Sequence, residues 1–62
     1  MITALSNRIH DLIDKMNLSS YHQREISETM DSPFNRDFFV AVAKVTGNTE
    51  LKKLVATYLI IL

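Results

Sequence analysis

The sequence predicts an all-α fold, a small bundle of three or four short helices. Three observations predict it. Apolar residues recur at three- and four-residue spacing through most of the chain, as one buried face of a helix requires. The single glycine, Gly47, and the single proline, Pro33, both fall between periodic segments rather than inside them. The one β-rich run, FFVAV (residues 38–42), is capped like a helix and has no strand partner elsewhere in the chain.

Ile2, Leu5, Ile9, Leu12 and Met16 form the first apolar stripe, and Ile13 widens it. Arg8, His10, Asp11, Asp14 and Lys15 lie off that stripe, so the segment reads as an amphipathic helix. Asn17 suits its end, because asparagine tolerates the left-handed conformation common there.

Ser20 and Gln23 match the S-x-x-Q capping box, in which each side chain satisfies the other residue's backbone N–H. A second helix is expected from Tyr21 to Met30. Its apolar content is thin, Tyr21, Ile26 and Met30, while Arg24, Glu25 and Glu28 keep it wet. It should be short and peripheral.

Asp31-Ser32-Pro33 marks the next boundary. Ser32 is expected as the N-cap and Pro33 as the first helical residue, where its missing N–H costs nothing. Phe34, Phe38, Ala41, Val42 and Val45 then share one helix face. Phe39, Val40 and Ala43 are apolar as well, so this helix should be buried on most sides.

Thr46-Gly47-Asn48 is the last break. Gly47 suits the left-handed position after a helix, and Asn48 or Thr49 can cap the next one. In the closing segment LKKLVATYLIIL, residues 51–62, one stripe holds Leu51, Leu54, Val55, Tyr58, Leu59 and Leu62. Lys52, Lys53, Ala56 and Ile60 lie toward the other side, with Thr57 and Ile61 partly so. The helix therefore begins amphipathic and ends apolar all round.

Sixty-two residues fit a single domain spanning 1–62. A chain of this size buries only about 60% of its unfolded surface. Ordering costs roughly 1.5 kcal/mol per residue, which apolar burial about cancels. Disulfides and cysteine-held zinc are excluded as supplements, because there is no cysteine. Regular packing and self-association remain. The apolar helix end exceeds what one small core can cover, so it is expected at an interface. That interface should draw on Leu51, Leu54, Val55, Tyr58, Leu59, Ile60, Ile61 and Leu62, with Phe38 and Phe39 in support. The simplest partner is a second copy, giving a homodimer.

Charge is balanced, with seven Lys/Arg against seven Asp/Glu. Residues 1–31 carry 3 − 5 = −2 and residues 32–62 carry 4 − 2 = +2. Tight phosphate binders usually show a basic excess, which this chain lacks. No secretory signal is expected, since the N-terminal apolar residues are spaced rather than continuous. The run from Val55 to Leu62 is far shorter than the ~20 apolar residues of a bilayer span. A cytoplasmic location is expected. Lys52 and Lys53 beside the apolar end would suit a membrane-surface helix, but two lysines without a tryptophan are a thin basis for one.

No residue set points to catalysis, a metal or a cofactor. His10 and Asp14 are one turn apart, but no third ligand has usable spacing, and a solvated helix face is the expected reading. Asp11 with Lys15, and Arg24 with Glu28, are ordinary i,i+4 pairs worth about 0.2–0.5 kcal/mol each. Ser6, Ser19, Ser20, Ser27 and Ser32 lack the G-x-S-x-G setting of a nucleophile. Phe34, Phe38 and Phe39 could stack nucleic-acid bases, but no basic residues interleave them, and core packing is expected.

Two resemblances bear on function. Asn7 to Ser20, NRIHDLIDKMNLSS, is similar to the first helix and following turn of repressor-type helix-turn-helix domains. Arg36 to Leu54, RDFFVAVAKVTGNTELKKL, resembles the closing helices of those domains. That resemblance implies a DNA-binding regulator with Asn35 and Arg36, at the start of a helix, as base contacts. The size, the absence of cysteine, the MITALSNRI start and the helix–TGN–helix ending resemble the small helical accessory proteins of lambdoid phage early regions. This second resemblance implies a protein that acts by binding a host or phage regulator. The leading expectation is a non-enzymatic, self-associating regulatory interaction module, with the DNA binder as its alternative.

Overall fold

A computed structural model describes residues 2–62. They form four helices: α1 (Ile2–Met16), α2 (Ser20–Thr29), α3 (Asn35–Thr46) and α4 (Thr49–Ile61). The described residues contain no strand, so the all-α class holds, and FFVAV lies inside α3.

Helix α1 stops at Met16, and Asn17 follows in the left-handed conformation with φ 53°. Its N–H bonds back to the Asp14 carbonyl at 3.2 Å. Asparagine is one of the few non-glycine residues that visits this region routinely.

Helix α2 begins one residue earlier than the Ser20–Gln23 capping box implies. Ser19 is the N-cap, extended at φ −72° and ψ 165°, and its hydroxyl accepts the His22 N–H at 3.2 Å. The Gln23 side-chain amide instead donates to the Leu18 carbonyl at 3.2 Å. Two adjacent serines are chemically equivalent caps, and the backbone turn decides between them. Ile26 is the only buried residue of α2, which agrees with a peripheral helix.

Helix α3 begins two residues later than Pro33. Phe34 occupies the N-cap position, extended and without a side-chain cap bond. Ser32 binds the approach to the helix rather than its first turn. Its hydroxyl donates to the Asp37 carboxylate, and the Phe34 N–H reaches its oxygen at 3.5 Å. Phe34 therefore lies outside the helix and is 69% exposed instead of opening its buried face. Phe39 takes the central place, at 0% exposure, and Phe38 is half-buried. Ala41, Val42 and Ala43 are all buried. Three consecutive positions sweep about 200° of a helix, so α3 is enclosed on most sides.

Gly47 has φ 65° and donates its N–H to the Ala43 carbonyl at 3.0 Å, closing α3. Asn48, not Thr49, caps α4: its side-chain oxygen accepts the Leu51 N–H at 2.8 Å. Helix α1 packs on α4, α2 on α3, and α3 on α4. The core they share comprises Ile9, Ile13, Ile26, Phe39, Ala41, Val42, Ala43, Leu51, Val55 and Tyr58.

Among the described residues one ion pair closes within 4 Å, Arg36 Nε to Asp37 Oδ1 at 3.9 Å. The expected Asp11–Lys15 and Arg24–Glu28 pairs stand wider than that. Exposed pairs gain little in water and lose side-chain entropy on closing, so open geometry is unsurprising.

Candidate functional site

The strongest surface feature is the end of α4. Along this helix Leu51, Val55 and Tyr58 turn inward and are buried, and Leu54 is half-buried. Past Tyr58 the core runs out. Leu59, Ile60, Ile61 and Leu62 are all exposed, Ile60 most of all at 84%. Four consecutive residues cover a full helical turn, so apolar surface faces every direction at this end.

A shallow groove of about 190 Å³ runs beside it between α3 and α4. Val40, Ala43, Val55, Ala56 and Leu59 line it, with Lys44 and Lys52 at its edges. Leu59 belongs both to this groove and to the exposed end, which makes the two one continuous apolar surface. Lysine stems can cover such a surface while their ammonium groups stay in water.

The expected interface set therefore divides. Leu59, Ile60, Ile61 and Leu62 stand free. Leu51, Val55, Tyr58 and Phe39 are buried in the chain's own core, with Val55 also lining the α3–α4 groove. Leu54 and Phe38 are intermediate. The division follows from helix phase: the residues that best continue the amphipathic stripe are the ones the monomer itself buries.

The aromatic residues gather inside rather than forming a stacking platform. Phe39 meets His10 edge-on, with centroids 4.9 Å apart and planes at 73°. It meets Tyr58 the same way at 5.1 Å and 80°. Phe38 lies 6.0 Å from Phe39 and 6.3 Å from His10. His10 is thus half-buried against two phenylalanines and not a solvated residue. Its place three residues before Ile13 puts it on the widened edge of the α1 stripe, and this was the available signal. Asp14, one turn on, is exposed. Among the described residues no group of three or more metal-binding side chains occurs.

Two other depressions mark the surface. One, of about 210 Å³, is lined by Arg8, Asp11, Leu12, Lys15, Glu50 and Leu54, so both signs of charge alternate over it. The other, of about 480 Å³, lies between α1, α2 and α3 and is lined by Ile13, Asp14, Asn17, Leu18, Gln23, Ile26 and Phe38. The latter falls in the size range of ligand-binding clefts. It depends on how three helices meet, so no single stretch of sequence announces it.

Asn35 and Arg36 occupy the exposed first turn of α3. The Arg36 side chain is 60% exposed and lies beside the Asp37 carboxylate. Among the described residues no helix is long and apolar enough to cross a membrane. Comparison with family models, with curated proteins and with solved structures finds no match for this chain.

Proposed function

We propose that this chain is a non-enzymatic regulatory interaction protein that self-associates through the end of α4. The carrying observation is the unbroken exposure of Leu59, Ile60, Ile61 and Leu62 beside the apolar α3–α4 groove. Together they form one continuous, mostly apolar surface, the kind of exposed patch that marks protein–protein contact sites. A twofold pairing brings the same patch of each copy together, so one self-complementary surface suffices. The dimer in turn presents its remaining faces to a host or phage regulator in the cytoplasm, as the resemblance to phage accessory proteins implies.

Sedimentation equilibrium of the chain over a range of concentrations tests this. A monomer–dimer equilibrium in the micromolar range is expected, and Ile60→Glu should shift it to monomer with the helical circular dichroism unchanged. A clean monomer up to millimolar concentration would sink the reading.

The DNA-binding alternative draws on the exposure of Asn35 and Arg36 at the start of α3. Against it stand Asp37, whose charge opposes phosphate, and the burial of Phe39, Ala41, Val42 and Ala43, which commits the middle of α3 to the core. A salt-sensitive shift of duplex DNA, weakened by Arg36→Ala, would favour it.

A further inference from the structure

No residue of α4 lines the 480 Å³ groove between α1, α2 and α3. Its floor is apolar: Ile13 and Ile26 are buried, and Leu18 and Phe38 are half-buried. Its polar groups are the Asp14 carboxylate and the Asn17 and Gln23 amides, and no lysine or arginine is among the lining residues. The Gln23 amide nitrogen is committed to the Leu18 carbonyl, which leaves the amide oxygen as its free end. Helix α1 ends here, at Met16, so the negative end of its dipole lies at the same place. Among the described residues no cation stands within 4 Å of the Asp14 carboxylate. Carboxylate, amide oxygen and helix terminus all favour the same sign of charge.

We propose that this groove docks a segment of a partner protein in which an arginine sits beside a bulky apolar side chain. The apolar side chain rests on Ile13, Ile26 and Phe38. The guanidinium reaches Asp14 and the last turn of α1, where its planar fork can meet the carboxylate and its face can lie against Phe38.

The probe is the peptide acetyl-Ala-Leu-Arg-Leu-Ala-amide, with the neutral citrulline analogue as its control, titrated into isotope-labelled protein. Amide shifts are expected at Ile13, Leu18, Ile26 and Phe38, with the arginine peptide bound about two- to fivefold more tightly, the range of an exposed ion pair. Asp14→Asn should erase that preference, bringing the two peptides to equal affinity. Gln23→Lys, an exposed substitution, should weaken the arginine peptide selectively. Circular dichroism establishes that both variants fold. Equal affinity for the two peptides, an arginine preference that survives Asp14→Asn, or no groove shift in the millimolar range would overturn the proposal. Shifts confined to Leu59–Leu62 would overturn it too, without touching the α4 interface. Groove shifts that follow protein concentration with no peptide present would assign the groove to a second copy and equally overturn it.

Discussion

Phe39 meets Tyr58 edge to face, with ring centroids 5.1 Å apart and planes at 80°. The contact joins the middle of α3 to the inner face of α4, and His10 extends it to α1 from the other side of Phe39. One ring thus touches the three helices that make most of the core. Edge-to-face pairs add about 0.5–1.5 kcal/mol beyond the area they bury.

Phe39→Ala should cost about 3–5 kcal/mol, as large-to-small changes at full burial do. That is comparable with the entire stability of a small domain. Loss of the cooperative urea transition, followed by circular dichroism, is the expected result. Tyr58→Phe should behave differently. Among the described residues no buried side-chain polar atom lacks a partner, and none of them bonds the Tyr58 hydroxyl. Its removal should change stability by less than about 0.5 kcal/mol.

Gly47→Ala should destabilise by about 1 kcal/mol. Nothing lies within 4 Å of the added Cβ, so the cost comes from φ 65° alone. Gly47→Asn should cost less, because asparagine tolerates that region. A drop in melting temperature of about 4–8 °C for alanine, and a smaller one for asparagine, checks the ordering.

The two helix caps predict a sharp contrast between neighbours. Asn48→Ala and Ser19→Ala should each lose about 1 kcal/mol, since each removes an acceptor for a first-turn N–H. Ser20→Ala should lie within about 0.5 kcal/mol of the parent, because that hydroxyl caps nothing. Chemical denaturation of the three variants reads the difference, and equal losses at Ser19 and Ser20 would contradict the Ser19 cap.

Phe34→Ser should leave stability within about 0.5 kcal/mol of the parent, as befits a side chain lying outside α3 and largely in water. A loss of several kcal/mol in thermal denaturation would restore Phe34 to the core.

These contrasts show where sequence was sufficient. Gly47 was legible because only glycine meets the left-handed position without strain, while Asn48 and Thr49 were both chemically fit to cap α4. Ser19 and Ser20 were not separable, being the same residue in succession. The inner face of α3 was misplaced toward Phe34 and Phe38 because the segment is apolar nearly all round. Periodicity then selects no single face, and Phe39 won by its fit between α1 and α4. The expectation for α4 drew one line through residues 51–62, whereas the fold buries Leu51, Val55 and Tyr58 and leaves Leu59–Leu62 outside. Where the core stops is a property of how far α1 and α3 extend, and no local pattern encodes it. The groove edged by Asp14 and Gln23 was out of reach for the same reason, since it exists only where α1, α2 and α3 meet.

The pairing of α1 with α4 has a kinetic consequence. The α2–α3 and α3–α4 contacts join sequence neighbours and close short loops, while α1 must wait for the far end of the chain to arrive. Loop closure of that length adds an entropic barrier that contacts repay only afterwards. The unit α2–α3–α4 should therefore assemble first and α1 dock last. Truncating Ile9 to Val should accelerate unfolding while leaving the folding rate nearly unchanged, whereas Val42→Ala should slow folding itself. In stopped-flow chevrons the first should move the unfolding limb and the second the folding limb. The first helix of the chain would then be the last to fold and the first to leave.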